Sequence, residues 1–73
     1  MTLAKRLAQE INNYETALDR AVELKDQITR ELKQADFNTS CDLAEQLQDI
    51  KTVIRLLSNK IEETYATIAL LSD

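Results

Sequence analysis

The groups in this chain that could do chemistry are one thiol, Cys41, and three sets of carboxylates. Cys41 stands in "KQADFNTSCD", residues 33–42, near the expected start of a second helix, where a helix dipole could lower a thiol pKa and raise reactivity. The chain has no His to act as its base or as a general acid, and no Gly-rich loop to cradle a phosphate. A structural or incidental cysteine is the simpler reading. One Cys cannot close an intrachain disulfide, and without His the usual zinc ligand sets are missing.

Among the carboxylates, Glu15, Asp19 and Glu23 follow one another at four-residue steps, and Asp42, Glu45 and Asp49 line the opening turns of the second helix. Like charges at that spacing repel slightly, so they do not stabilise their own helix. The plain reading is a solvated acidic face; the sharper one is docking to a basic partner or mimicry of a phosphate backbone. Glu62 and Glu63 are neighbours on an outer face and do not easily turn toward one metal. A carboxylate-bridged centre would also need inward-facing Glu and a His. No metal and no cofactor is expected, and the chain reads as non-enzymatic.

Nucleic-acid binding would rest on Lys5, Arg6, Arg20 and Arg30, which with Asn13, Gln27 and Gln34 decorate the outside of helix 1. These cations are sparse and interrupted by acids, and no aromatic interleaves them as base stacking requires. The net charge of −4, from 9 basic and 13 acidic residues, favours solubility and argues against a broad electrostatic grip on nucleic acid or an acidic membrane.

The elements that position these groups follow from composition and period. Gly and Pro are both zero, where average usage would give about five and three to four in a chain this long. Tight turns and sheet bulges are disfavoured, and helix is the default. Steps of four and three run through Ala4, Leu7, Ile11, Tyr14, Leu18, Ala21, Lys25, Ile28, Leu32 and Ala35. This is a heptad seam with Ala4, Ile11, Leu18, Lys25 and Leu32 at a and the others at d. A second seam has Leu47, Ile54, Ile61 and Ile68 at a, with Leu43, Ile50, Leu57, Thr64 and Leu71 at d. The pattern predicts an all-α fold, an antiparallel two-helix hairpin forming one domain over residues 1–73. Helix 1 is expected over about 2–36, the turn over about 37–40 and helix 2 over about 40–72. Each helix would then be roughly 34 residues and about 50 Å long.

In the turn, Asn38 is the expected left-handed residue ending helix 1, since no Gly can take that place. Thr39 or Ser40 is the expected cap of helix 2, with Asp42 in its first turn, and Phe37 is expected to fold back over the end of the seam.

A chain of 73 residues rarely buries a self-sufficient core, so further burial by self-association or a helical partner is expected to complete a bundle. Apolar residues outside the seam could provide it: Leu3, Ala17 and Leu24 at g, Ala8 and Val22 at e, then Val53 at g, Leu56 and Leu70 at c, and Tyr65 at e. Leu3, Leu24, Val53, Leu56, Tyr65 and Leu70 are the candidate partner-binding residues. Lys25, the one charged residue in the seam, reads as a side chain that snorkels along its apolar stem, or as a device that selects register. Tyr14 at d reads as core, with its hydroxyl reaching the edge.

"MTLAKRLAQE" has no apolar run of signal-peptide length, and no segment approaches the roughly 20 apolar residues of a membrane span, which fits a cytoplasmic, reducing location. This opening, with two near-equal amphipathic helices about a polar turn, resembles the small helical-hairpin co-chaperones of type III secretion needle subunits. The resemblance covers the whole chain in size and helix pattern and rests on no diagnostic motif. Members often have a Gly-containing or polar turn followed by aromatics early in helix 2, whereas this chain has no Gly and "CDLAEQLQDI" has no aromatic. The resemblance implies a cytosolic hairpin that joins a larger helical-repeat protein to hold an aggregation-prone subunit. The expected function is thus an adaptor or co-chaperone binding a helical partner through exposed apolar strips. The alternatives are a homodimeric four-helix-bundle regulator of structured nucleic acid and a small phage-type inhibitor of a host protein.

Overall fold

The computed structural model describes residues 2–72, Ser72 by its backbone alone. Met1 and Asp73, included in the domain expected over residues 1–73, lie outside the described residues. Two helices account for the fold: α1, Leu3–Leu32, and α2, Phe37–Ser72. Four residues join them, and the whole measures 55 × 15 × 13 Å, so the helices lie side by side and antiparallel. The long dimension matches α2 alone, whose 36 residues span about 54 Å at the helical rise.

The seam lies between the helices as its period requires. Every buried residue comes from an a or d position: Ile11, Ala21, Ile28, Leu43 and Thr64. Leu7, Tyr14, Leu18, Lys25, Leu32, Leu47, Ile50, Ile54, Leu57, Ile61 and Ile68 are half-buried. Thr64 is the polar member of the core, and its hydroxyl donates to the Lys60 carbonyl at 2.7 Å, so its burial leaves no orphaned group. The two outermost seam residues, Ala4 and Leu71, are exposed. They sit at the open end, where no further layer covers them, and α2 outruns the 30 residues of α1 by about 9 Å. The helices are therefore less equal than their sequence patterns suggest.

Thr2 caps α1, its hydroxyl oxygen accepting from the Lys5 N–H at 3.2 Å and its carbonyl from the Arg6 N–H at 3.1 Å. The turn departs from the sequence expectation in three ways. First, Asn38 is not a left-handed stop. No described residue has a positive φ, and Asn38 is already inside α2. The chain leaves α1 instead through Lys33, which stays right-handed at φ −67°, and through a tightened turn in which the Gln34 and Ala35 N–H groups donate to the Glu31 and Leu32 carbonyls.

Second, the cap of α2 is Asp36, not Thr39 or Ser40. Its carboxylate accepts from the Thr39 N–H at 2.8 Å while its carbonyl accepts the first helical bond from Ser40. A carboxylate here also complements the positive end of the helix, and α2 gains the turn beginning at Phe37. Ser40 serves the turn from the other side, its hydroxyl donating to the Ala35 carbonyl at 3.4 Å. Third, Phe37 does not close the seam. It opens α2 with 82% of its surface exposed, because nothing apolar lies beyond the turn to receive it.

The Thr39 backbone N–H, and after it the Thr39 hydroxyl, hold the Asp36 carboxyl below the ordinary value of 3.8. Stabilisation from this cap is present above the unfolded-state pKa and is lost as pH falls through the lower folded-state value. Asp36→Ala is expected to lower the melting temperature at neutral pH and to narrow that difference below about pH 3.8. Thermal unfolding followed by circular dichroism across that range checks it, and a difference independent of pH would assign Asp36 no capping role.

The fold leaves much surface uncovered. Its accessible area is 5660 Å², against about 4,600 Å² expected for a compact 8.3 kDa monomer. The radius of gyration is 16.6 Å, where about 11 Å is typical of a domain of this length. No large side chain is fully buried among the described residues.

Candidate functional site: an apolar flank of the hairpin

The heptad positions sort the surface into two flanks. In an antiparallel pair the e positions of both helices share one flank and the g positions share the other. A hydrogen bond ties the e flank together: the Tyr65 hydroxyl donates to a Glu15 carboxylate oxygen at 3.3 Å, and both residues occupy e. That bond marks a level at which the two helices face each other near the open end, as the turn does at the other end.

All six sequence-predicted contact residues are exposed, but they do not form one surface. Leu3 and Leu24 on α1 and Val53 on α2 lie at g, with Leu56 and Leu70 at the adjoining c positions, so five of them share the g flank. Tyr65 lies on the opposite flank and is engaged with Glu15. Leu56 and Leu70 are 58% and 76% exposed, high values for leucines that a finished core would cover. A shallow depression of about 510 Å³ lies on this side of α2, lined by Val53, Leu56, Leu57, Asn59, Lys60 and Glu63. Its floor is aliphatic and its rim carries one cation and one carboxylate.

Sequence reasoning missed Phe37, which it folded inward, and the charged residues around Val53 and Leu56. Phe37 follows Asp36, and an Asp three residues ahead of Thr39 was the signal that α2 starts early.

Among the described residues the groups that could do chemistry do not gather into a metal-holding cluster. Cys41 is a free, exposed thiol within α2, beyond its first residues. Glu15, Asp19 and Glu23 are exposed at the adjoining e, b and f positions and form an acidic stripe along one side of α1. Asp42, Glu45, Asp49, Glu62 and Glu63 are exposed as well. Among the described residues no group of three or more His, Cys, Asp or Glu side chains could hold a metal ion. Lys5, Arg6, Arg20 and Arg30 are exposed along α1. No described helix is long and apolar enough to cross a membrane.

The fold and its surface define an all-α helical hairpin with one apolar flank left open. No protein-family model, curated protein or solved structure matches the chain.

Proposed function

We propose that this chain is a non-enzymatic helical interaction module, an adaptor or co-chaperone whose g flank receives an amphipathic helical surface. The observation that supports it is the alignment of Leu3, Leu24, Val53, Leu56 and Leu70 along one side of the hairpin, all exposed. Apolar side chains spaced along helices form the ridges and grooves into which a partner helix packs, and covering them completes a bundle. The resemblance to co-chaperones of secretion needle subunits suggests the cytosol as the setting and an aggregation-prone helical subunit as one kind of client.

The test is binding by flank variants. Leu56→Asp and Leu70→Asp each replace an exposed side chain, so helicity is expected to survive while association falls by at least about tenfold, since a charge placed in a desolvated contact costs more than 1.4 kcal/mol. Self-association is read by sedimentation, and partner capture by affinity recovery from the source cytosol. If both substitutions left self-association and every capture unchanged, this flank would not be the contact surface.

A further inference from the structure

The spacing of residues along α2 points to one occupant for the flank. Its 36 residues run from Phe37 to Ser72, so its midpoint falls between Ile54 and Arg55. Val53 and Leu56 straddle that point. Lys60 lies as far beyond it as Asp49 lies before it, about 8 Å in either direction. Asp49, Val53, Leu56 and Lys60 all sit at g or c, on the same flank, and all are exposed. Because α2 spans the long dimension, its midpoint is also the midpoint of the molecule.

A pattern with an apolar centre and opposite charges equidistant on either side is self-complementary under a two-fold axis. Such an axis, crossing the flank at mid-length, sets α2 against an antiparallel α2. Val53 of one copy then meets Leu56 of the other, and Lys60 meets Asp49. Two Lys–Asp pairs form for each dimer, one at either side of the four aliphatic side chains. On α1, Ala17 and Leu24 bracket the same level, between the turn and the Tyr65–Glu15 bond. They are exposed g residues and extend the aliphatic centre onto the second helix. The same operation brings Glu10 to the level of Glu31 nearer the ends of α1. That pairing is unfavourable: Glu10 is half-buried and Glu31 exposed, and at about 16 Å from the axis water and salt screen them only in part.

We propose that the g flank is the interface of a two-fold antiparallel homodimer, a four-helix bundle centred on Val53 and Leu56 and aligned by Lys60–Asp49 pairs. The inference rests on the interaction-module reading and names the occupant of its surface. The area agrees. The chain exposes about 1,100 Å² more than a compact protein of its mass, and a standard interface covers about 800 Å² on each partner. A second copy is thus large enough to account for the excess.

Sedimentation equilibrium of the full chain over micromolar to millimolar concentrations tests this. The expected result is a reversible dimer of twice the 8.3 kDa chain mass. Lys60→Glu and Asp49→Lys are each expected to raise the dissociation constant about tenfold or more, because each substitution is counted twice across the axis. The double variant restores the pairs with their signs exchanged and is expected to return within about threefold of the parent. Both positions are exposed, so circular dichroism should show unchanged helix content. A chain that stays monomeric throughout overturns the homodimer. If Leu56→Asp still abolishes capture of another helical protein by that monomer, the interaction-module reading survives alone. A dimer in which the double variant is as weak as the two single changes together overturns this alignment.

Discussion

Ile28→Ala is expected to abolish cooperative unfolding of the hairpin at room temperature. Ile28 is 4% exposed, the least of the buried apolar side chains, and occupies a d position in the half of the seam nearer the turn. Removing an isoleucine side chain to alanine in a core costs about 2–5 kcal/mol, the loss of transfer energy plus the cavity left behind. A core in a domain this small rarely supplies more than about 3–5 kcal/mol in total. The loss is therefore of the same size as the whole stability. Thermal melts followed by far-ultraviolet circular dichroism should show either no transition or a broad, low one. A melting temperature within a few degrees of the parent would mean that Ile28 can be spared, and that the fold is held elsewhere.

The second large effect has the opposite sign. Lys25 is half-buried at an a position between the buried residues Ala21 and Ile28, where a leucine would add apolar contact along the same stripe. Lys25→Leu is expected to gain about 1–2 kcal/mol from burial. For a domain of this length that corresponds to a rise of roughly 4–16 °C in melting temperature. The backbone is not disturbed, since the Lys25 carbonyl accepts from the Thr29 hydroxyl at 2.8 Å whatever the side chain is. Should the melting temperature fall, or the sedimenting mass change while helix content holds, Lys25 would be acting to select register at a cost in stability.

Much of the fold was legible because a period of three and four has few other meanings. Ile11, Ala21, Ile28, Leu43 and Thr64 were all placed in the seam from spacing alone, and they are the residues that burial selects. The turn was less legible, since Asp36, Asn38, Thr39 and Ser40 are rival stop and start residues within five positions, with no Gly to decide between them. What settles it is that Asp36 can accept from the Thr39 backbone and hydroxyl together, which moves the start of α2 to Phe37 and leaves that ring in water.

The flank was half legible. Register places Leu3, Leu24, Val53, Leu56, Tyr65 and Leu70 outside the seam, with Tyr65 at e and the other five at g or c, and the Tyr65–Glu15 bond adds what engages Tyr65 on its own flank. The even spacing of Asp49 and Lys60 about Val53 and Leu56 is present in the sequence, but its place at the middle of α2 depends on where that helix starts. A second helix starting at residue 40 would have its centre at residue 56, and the two charges would no longer be equidistant from it. The start of α2 at Phe37 is what places the centre of this pattern at the middle of the helix.

The turn contains no residue that an uninterrupted helix would reject. Positions 33–36 include neither Gly nor Pro, and no described residue adopts a left-handed conformation. Whether the chain doubles back is therefore decided by what its seam can touch, with Asp36 and the hydroxyl of Ser40 as the local signals against running straight on. A straightened chain would be a single rod of about 105 Å, and it would need another molecule's seam to lie against. Folding of this protein and exchange of arms between two copies thus draw on the same contacts, and crowding two nascent chains together would set them in competition.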